Sequence, residues 1–157
     1  MPIKYNLPIP REAQDITQNI SRGVSASLFG MSIGEKVYLA ASFQNLVMYV
    51  TADYYSASKV YNQLSSLCNA VLLPALPDLL TYKQGSSDDI FFDRTNAINK
   101  LLSGNLDALI ISIQSLCELF PNPSDVLKHT IKISKNQTLS PDKVLTILIG
   151  GGYKRTS

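Results

Sequence analysis

A chain of 157 residues has room for one domain of ordinary size with a small appendage, and enough length to bury a real core. Its hydrophobic share of 45% and charged share of 17% exclude wholesale disorder, and no apolar run reaches the roughly 18 to 20 residues of a membrane span. The first eleven residues carry Lys4 and three prolines but no apolar signal core, so a cytoplasmic protein is expected; the net charge of +2 conceals an uneven distribution taken up below.

The chain opens its regular pattern with a short apolar run at residues 26–29, which predicts a strand, followed by Gly30-Met31-Ser32-Ile33-Gly34-Glu35-Lys36-Val37. That stretch lies where a phosphate-binding loop belongs. A working loop reads G-x-x-x-x-G-K-[ST]: bare backbone N–H groups cradle the phosphates, the lysine reaches the β and γ oxygens, and the hydroxyl holds Mg²⁺. Lys36 falls on the lysine, but Glu35 replaces the second glycine and Val37 replaces the hydroxyl residue. A carboxylate beside the phosphates and a missing metal ligand describe a loop that keeps its shape and loses its chemistry.

Helix and strand patterns then alternate. Helices are predicted at 34–43, 54–67 with Asp53 as cap, and 88–102 with Ser87 as cap and Gly104 closing it. Between them, strands are predicted at 45–51, 70–73 and 108–113; the first and last are nearly continuous in Val, Leu, Ile, Met and Tyr, as central parallel strands are. The fold class is therefore α/β, a small, open, mostly parallel sheet with flanking helices and right-handed crossovers. The connection 74–87 is long for such a unit, and loops of that length tend to be functional or flexible. Asp88 and Asp89 fall in the first turn of a helix, where the dipole favours carboxylates, so they need no catalytic role.

Pro121-Asn122-Pro123-Ser124 marks a boundary, giving domains at 1–122 and 123–157. Beyond it, residues 131–135 alternate apolar and polar as a half-solvated strand does, and Ser140-Pro141-Asp142 opens a helix that Gly150-Gly151-Gly152 ends. Tyr153 to Ser157 reads as the first half of another strand, which makes the second domain the truncated start of a small α+β module.

Candidate chemistry is sparse. Cys68 and Cys117 stand apart, without metal-ligand spacing, and are expected to be small buried hydrophobes. His129, the single histidine, has no serine or cysteine motif framing it, and Asn136-Gln137-Thr138 fits a glycosylation sequon with no secretory context. No catalytic residue, metal or cofactor is expected. From Lys128 onward six cations (Lys128, Lys132, Lys135, Lys143, Lys154 and Arg155) face one acid, Asp142. This basic end is read either as a footprint for an acidic partner or nucleic acid, or as a solvated face.

Three segments carry a resemblance. Leu72-Leu73-Pro74 with Asp78 through Tyr82, then Ser86 through Asp89 and Arg94, form the first. Leu101-Leu102-Ser103-Gly104 followed by Ala108 through Leu116 form the second, and Gly152-Tyr153-Lys154-Arg155 the third. In this order, and over almost the whole chain, they resemble the N-terminal region of bacterial transcription-repair coupling factors, itself similar to the excision-repair helicase subunit UvrB. Asp78 and Lys83 depart from the glutamate and aspartate the family often has there. The resemblance implies a half-formed RecA-like domain with a degenerate nucleotide loop (Gly30, Ser32, Gly34, Glu35, Lys36 and Val37). UvrB keeps an intact loop, so the chain is nearer the coupling factor.

The resemblance also implies that the part after Pro121 begins the domain that recruits the damage-recognition subunit UvrA. Lys132, Lys135, Tyr153, Lys154 and Arg155 are its partner-face candidates, and a further family segment with a UvrA-contacting arginine is expected after Ser157. The parent would be an ATP-dependent DNA translocase with its motor elsewhere, meeting RNA polymerase and DNA through other parts. A non-catalytic recruitment module is thus the expected function. The alternative is a nucleotide-binding ATPase or helicase-type domain using Gly30 and Lys36 in a variant loop; direct DNA binding through the basic end is a third possibility.

Overall fold

A computed structural model of the chain describes residues 11–76, 87–131, 133–151 and 153. Two compact units, Met1–Glu118 and Leu119–Ser157, divide it.

The first unit begins with helix α1 (Arg11–Ser21), which closes at Gly23, where φ is +77° and the N–H donates to the Ile20 carbonyl. Residues 24–29 then run without regular structure, so the strand expected at 26–29 is not formed. A strand needs a ladder partner; these residues have none among the described residues, and Phe29 stays 90% exposed. Helix α2 (Ile33–Ser42) leads to strand β1 (Val47–Thr51), and helix α3 (Tyr54–Leu64) to strand β2 (Ala70–Leu73). Helix α3 stops three residues short of its expected end, at Leu64. The N–H groups of Leu67 and Cys68 both turn back to the Leu64 carbonyl, and the Ser66 hydroxyl donates to the Gln63 carbonyl, so local side-chain and turn bonds replace the helical ladder.

Helix α4 (Ser87–Leu102), strand β3 (Ala108–Ser112) and the single turn α5 (Ile113–Leu116) complete the unit. Ser87, the expected cap, is already the first helical residue, and Gly104 closes the other end at φ +69°. The connection before α4 falls largely outside the described residues, Asp78, Tyr82 and Lys83 included.

All strands are parallel, in the order β1-β3-β2, with Val47 and Ala70 both level with Ala108. The chain crosses from β1 to the far edge through α3 and returns to the centre through α4, moving in opposite directions on opposite faces, so both crossovers have one hand. On one face Ile110, Ala108 and Ala70 pack against Val37 and Ala41 of α2 and Ala57, Val60 and Leu64 of α3. On the other, Leu109, Ile111, Val71 and Leu73 pack against Ala97 of α4. Every residue of β3 is buried, which is what a central strand with helices on both faces requires.

The second unit holds helix α6 (Pro123–Lys128), capped by the Asn122 side chain, and helix α7 (Pro141–Gly150). The Pro121-Asn122-Pro123 boundary thus also starts a helix, because proline is tolerated in a first turn that has no N–H partner anyway. The strand expected at 131–135 is absent among the described residues. A turn takes its place, with the Gln137 N–H on the Ser134 carbonyl and Asn136 at φ +68°.

Candidate functional site

The loop into α2 is organised by helix capping. Ser32 is extended, at φ −66° and ψ 164°, and its Oγ accepts the Glu35 N–H at 3.3 Å. The Glu35 carboxylate reaches back: one oxygen accepts the Ser32 N–H at 2.7 Å and the Ser32 hydroxyl at 2.8 Å, completing a capping box. The Ser32 backbone bond first, and the hydroxyl second, hold the Glu35 carboxyl below the usual range, against a small opposing push from desolvation. Gly30 takes φ +75°, and the helix starts three residues later, winding Gly34, Glu35 and Lys36 into its first turn. Val37, at the position of the metal-holding hydroxyl, is 2% exposed and belongs to the core.

Lys36 is exposed and, among the described residues, has no carboxylate within ion-pair distance. Its stem borders an apolar hollow of about 220 Å³ with Leu28, Leu39, Phe43, Val47 and Tyr49, and burial pushes the Tyr49 hydroxyl up.

Open parallel sheets bind ligands at the carboxyl ends of their strands. Here those ends are tied by internal bonds. After β1, Asp53 accepts the Ser56 N–H at 2.8 Å and its hydroxyl at 3.0 Å, which caps α3 and holds the Asp53 carboxyl low. After β2 and β3, Arg94 Nη1 donates to the Pro74 carbonyl at 2.7 Å and to Ser115 Oγ at 3.2 Å, and lies 2.7 Å from the Glu118 carboxylate. Glu118 in turn accepts the Leu76 N–H at 2.8 Å, and Ser115 Oγ donates to the Pro74 carbonyl at 3.2 Å. Arg94 and Ser115 are 5% and 0% exposed. A buried cation that touches a carbonyl after β2 and a hydroxyl and a carboxylate after β3 locks the end of the sheet.

A polar cleft of about 330 Å³ lies over β2, between Tyr54, Ser58 and Tyr61 of α3 and Asp93, Asn96 and Lys100 of α4. Sequence reading missed it. Its signal is the polar spacing of Asp93, Asn96 and Lys100, three positions along one side of a helix, which becomes a wall only once the sheet order is known.

The second unit holds Lys135 and Tyr153, both exposed, the latter with its N–H on the Leu148 carbonyl at 3.1 Å. Lys132, Lys154 and Arg155 lie outside the described residues. His129 is exposed, with Nδ1 2.8 Å from the Asp125 carbonyl oxygen, and Lys128 pairs loosely with Asp125 at 3.6 Å. Cys68 is buried as expected; Cys117 is exposed, because it caps the single-turn α5 outside the packed layers. Among the described residues no group of three or more His, Cys, Asp and Glu is placed to hold a metal ion, and no helix is long and apolar enough to cross a membrane. Compared with known protein families, curated proteins and solved structures, the chain matches none.

Proposed function

We propose that this chain is a non-catalytic recruitment module of the transcription-repair coupling type, a degenerate RecA-like half-domain followed by the beginning of a UvrA-binding domain. The observation that carries the non-catalytic half is the capping box. The Ser32 N–H, a backbone donor a phosphate would need, is taken by the chain's own carboxylate, and the residue at the metal-ligand position is buried in the core. Glu35 is therefore an internal replacement for an anion at the helix N-terminus. The ordered resemblance of the three segments supports the recruitment half, with Tyr153, Lys135, Lys132, Lys154 and Arg155 on the partner side, since exposed cations and an aromatic suit such a surface.

Two measurements test the reading. Calorimetry with ATP and Mg²⁺ is expected to show no binding at millimolar nucleotide, and micromolar binding abolished by Lys36→Ala would replace the proposal with a working nucleotide site. Pull-down with purified UvrA is expected to retain the chain. Failure to bind, repeated with a version extended past Ser157, removes the recruitment role.

A further inference from the structure

The polar cleft over β2 has a main-chain floor. The Asn69 carbonyl accepts the N–H groups of Asp107 and Ala108, toward β3, so by the alternation of a strand Val71 and Leu73 also turn their main-chain groups to β3. The N–H and C=O of Leu72 consequently face the cleft. A helix that covers a further strand offers it an apolar stripe, as Val60 and Leu64 of α3 and Ala97 of α4 do for the strands present. Beyond β2 the two walls carry hydroxyls, amides and charges instead, so the lining chemistry fits a polar ligand rather than a further strand of the sheet.

Charge divides the cleft along its length. Helix α4 leaves the carboxyl end of β2 and runs back toward the amino end of β3, so Asp93 lies nearer the carboxyl end of β2 and Lys100 nearer its amino end. Seven residues of helix separate them by about 10 Å. Both line the cleft, both are exposed, and among the described residues neither has an oppositely charged side chain within ion-pair distance. Asn96 between them, and Ser58 and Asn62 across the cleft, offer amide and hydroxyl groups.

We propose that the cleft binds a short peptide with free termini, about three residues long, whose ammonium group meets Asp93 and whose carboxylate meets Lys100. The choice of ligand rests on charge. An acid and a base about 10 Å apart call for opposite charges at that separation, and three extended residues at about 3.4 Å each span it. This polarity runs the peptide antiparallel to β2, where the N–H and C=O of its central residue pair with those of Leu72. A cavity of about 330 Å³ is at the small end of ligand sites, so it suits three small residues and not a folded partner.

Trialanine is the probe. Titrated into the full 157-residue chain and followed by ¹H–¹⁵N NMR, it is expected to give saturable shifts at the Leu72 amide and at the side-chain amides of Asn62 and Asn96. N-acetylation and C-terminal amidation remove one charge each, and each is expected to weaken binding roughly three- to fivefold, the worth of an exposed ion pair. Lys100→Gln should abolish the preference for a free carboxylate while keeping that for a free amine, and Asp93→Asn should do the reverse. Both positions are exposed, and far-UV circular dichroism confirms that the variants are folded. A purely structural role for the two side chains would change stability without this crossed pattern. The proposal is overturned if trialanine gives no saturable shift, if the shifts lie away from the cleft, or if the acetylated and amidated peptides bind the parent chain as well as trialanine does.

Discussion

At one margin of the sheet β2 lies between two helices that overhang it, α3 offering Tyr61 and Asn62 and α4 offering Asn96 and Lys100; at the other margin β1 has, among the described residues, cover on one face only, where Val47 and Tyr49 border the hollow with Leu28 and Phe43. The strands themselves hardly differ. Ala70-Val71-Leu72-Leu73 and Val47-Met48-Tyr49-Val50-Thr51 are both short and uncharged. Protection of an edge here comes from what the crossovers leave on either side of it, because among the described residues α4 packs on β2 and β3 and not on β1. A hydrophobic edge strand is covered or exposed according to topology, with composition almost unchanged.

The β2 side is also locked at its end, and breaking that lock is expected to have the largest effect. Arg94→Met removes the cation from Glu118 and one donor from the Pro74 carbonyl, leaving a carboxylate only 17% exposed without its partner. The expected cost is about 3–5 kcal/mol, the usual penalty for orphaning one member of a buried pair. Urea denaturation measures it, and a cost under about 1 kcal/mol would mean that the helix walls hold β2 without the ion pair. Leu64→Ala probes the layer common to both edges. Leu64 is fully buried where α3 meets the sheet, and its truncation is expected to cost about 2–5 kcal/mol in a single transition.

Much of this was legible from residues. Asp53 and Gly104 announced their caps, and the continuous apolar run around Ile110 and Ile111 marked a strand covered on both faces. Other parts depended on partners that a single segment does not reveal. Residues 26–29 look like a strand but have no ladder, and the alternation at 131–135 gave way to a turn at Asn136. Glu35 and Val37 were readable as departures from a nucleotide loop, whereas their positive roles, a reciprocal cap and a core contact, emerge only in the fold. The cleft over β2 and the edge position of β1 follow from strand order, which short-range patterns do not encode.

A smaller effect should separate the helices that flank the two edges. Glu35 and Asp53 cap α2 and α3, and both carboxyls are held low by hydrogen bonds, first from the backbone N–H of Ser32 and Ser56 respectively. With folded values below the unfolded ones, the unfolded chain binds more protons as the medium turns acid. Each contribution is therefore complete above the ordinary carboxylate range and is lost as pH falls through the lowered value. Glu35→Gln and Asp53→Asn should each flatten part of the decline in melting temperature between neutral and strongly acid pH. A decline identical to that of the parent chain would show that neither cap senses protonation. Both groups are fully exposed, so the change should stay well below that of Arg94→Met.

The finest comparison places the same residue on each edge. Leu72 packs against the core beneath α3, whereas Met48 is more than half exposed, so threonine at the two positions meets different surroundings. Leu72→Thr is expected to cost roughly 1–2 kcal/mol through lost apolar burial, and Met48→Thr to stay within about 0.5 kcal/mol, both measured by urea denaturation. Threonine suits a strand, so propensity does not confound the pair. Equal costs at the two sites would show that β1 is as well covered as β2, and the difference between the edges would vanish.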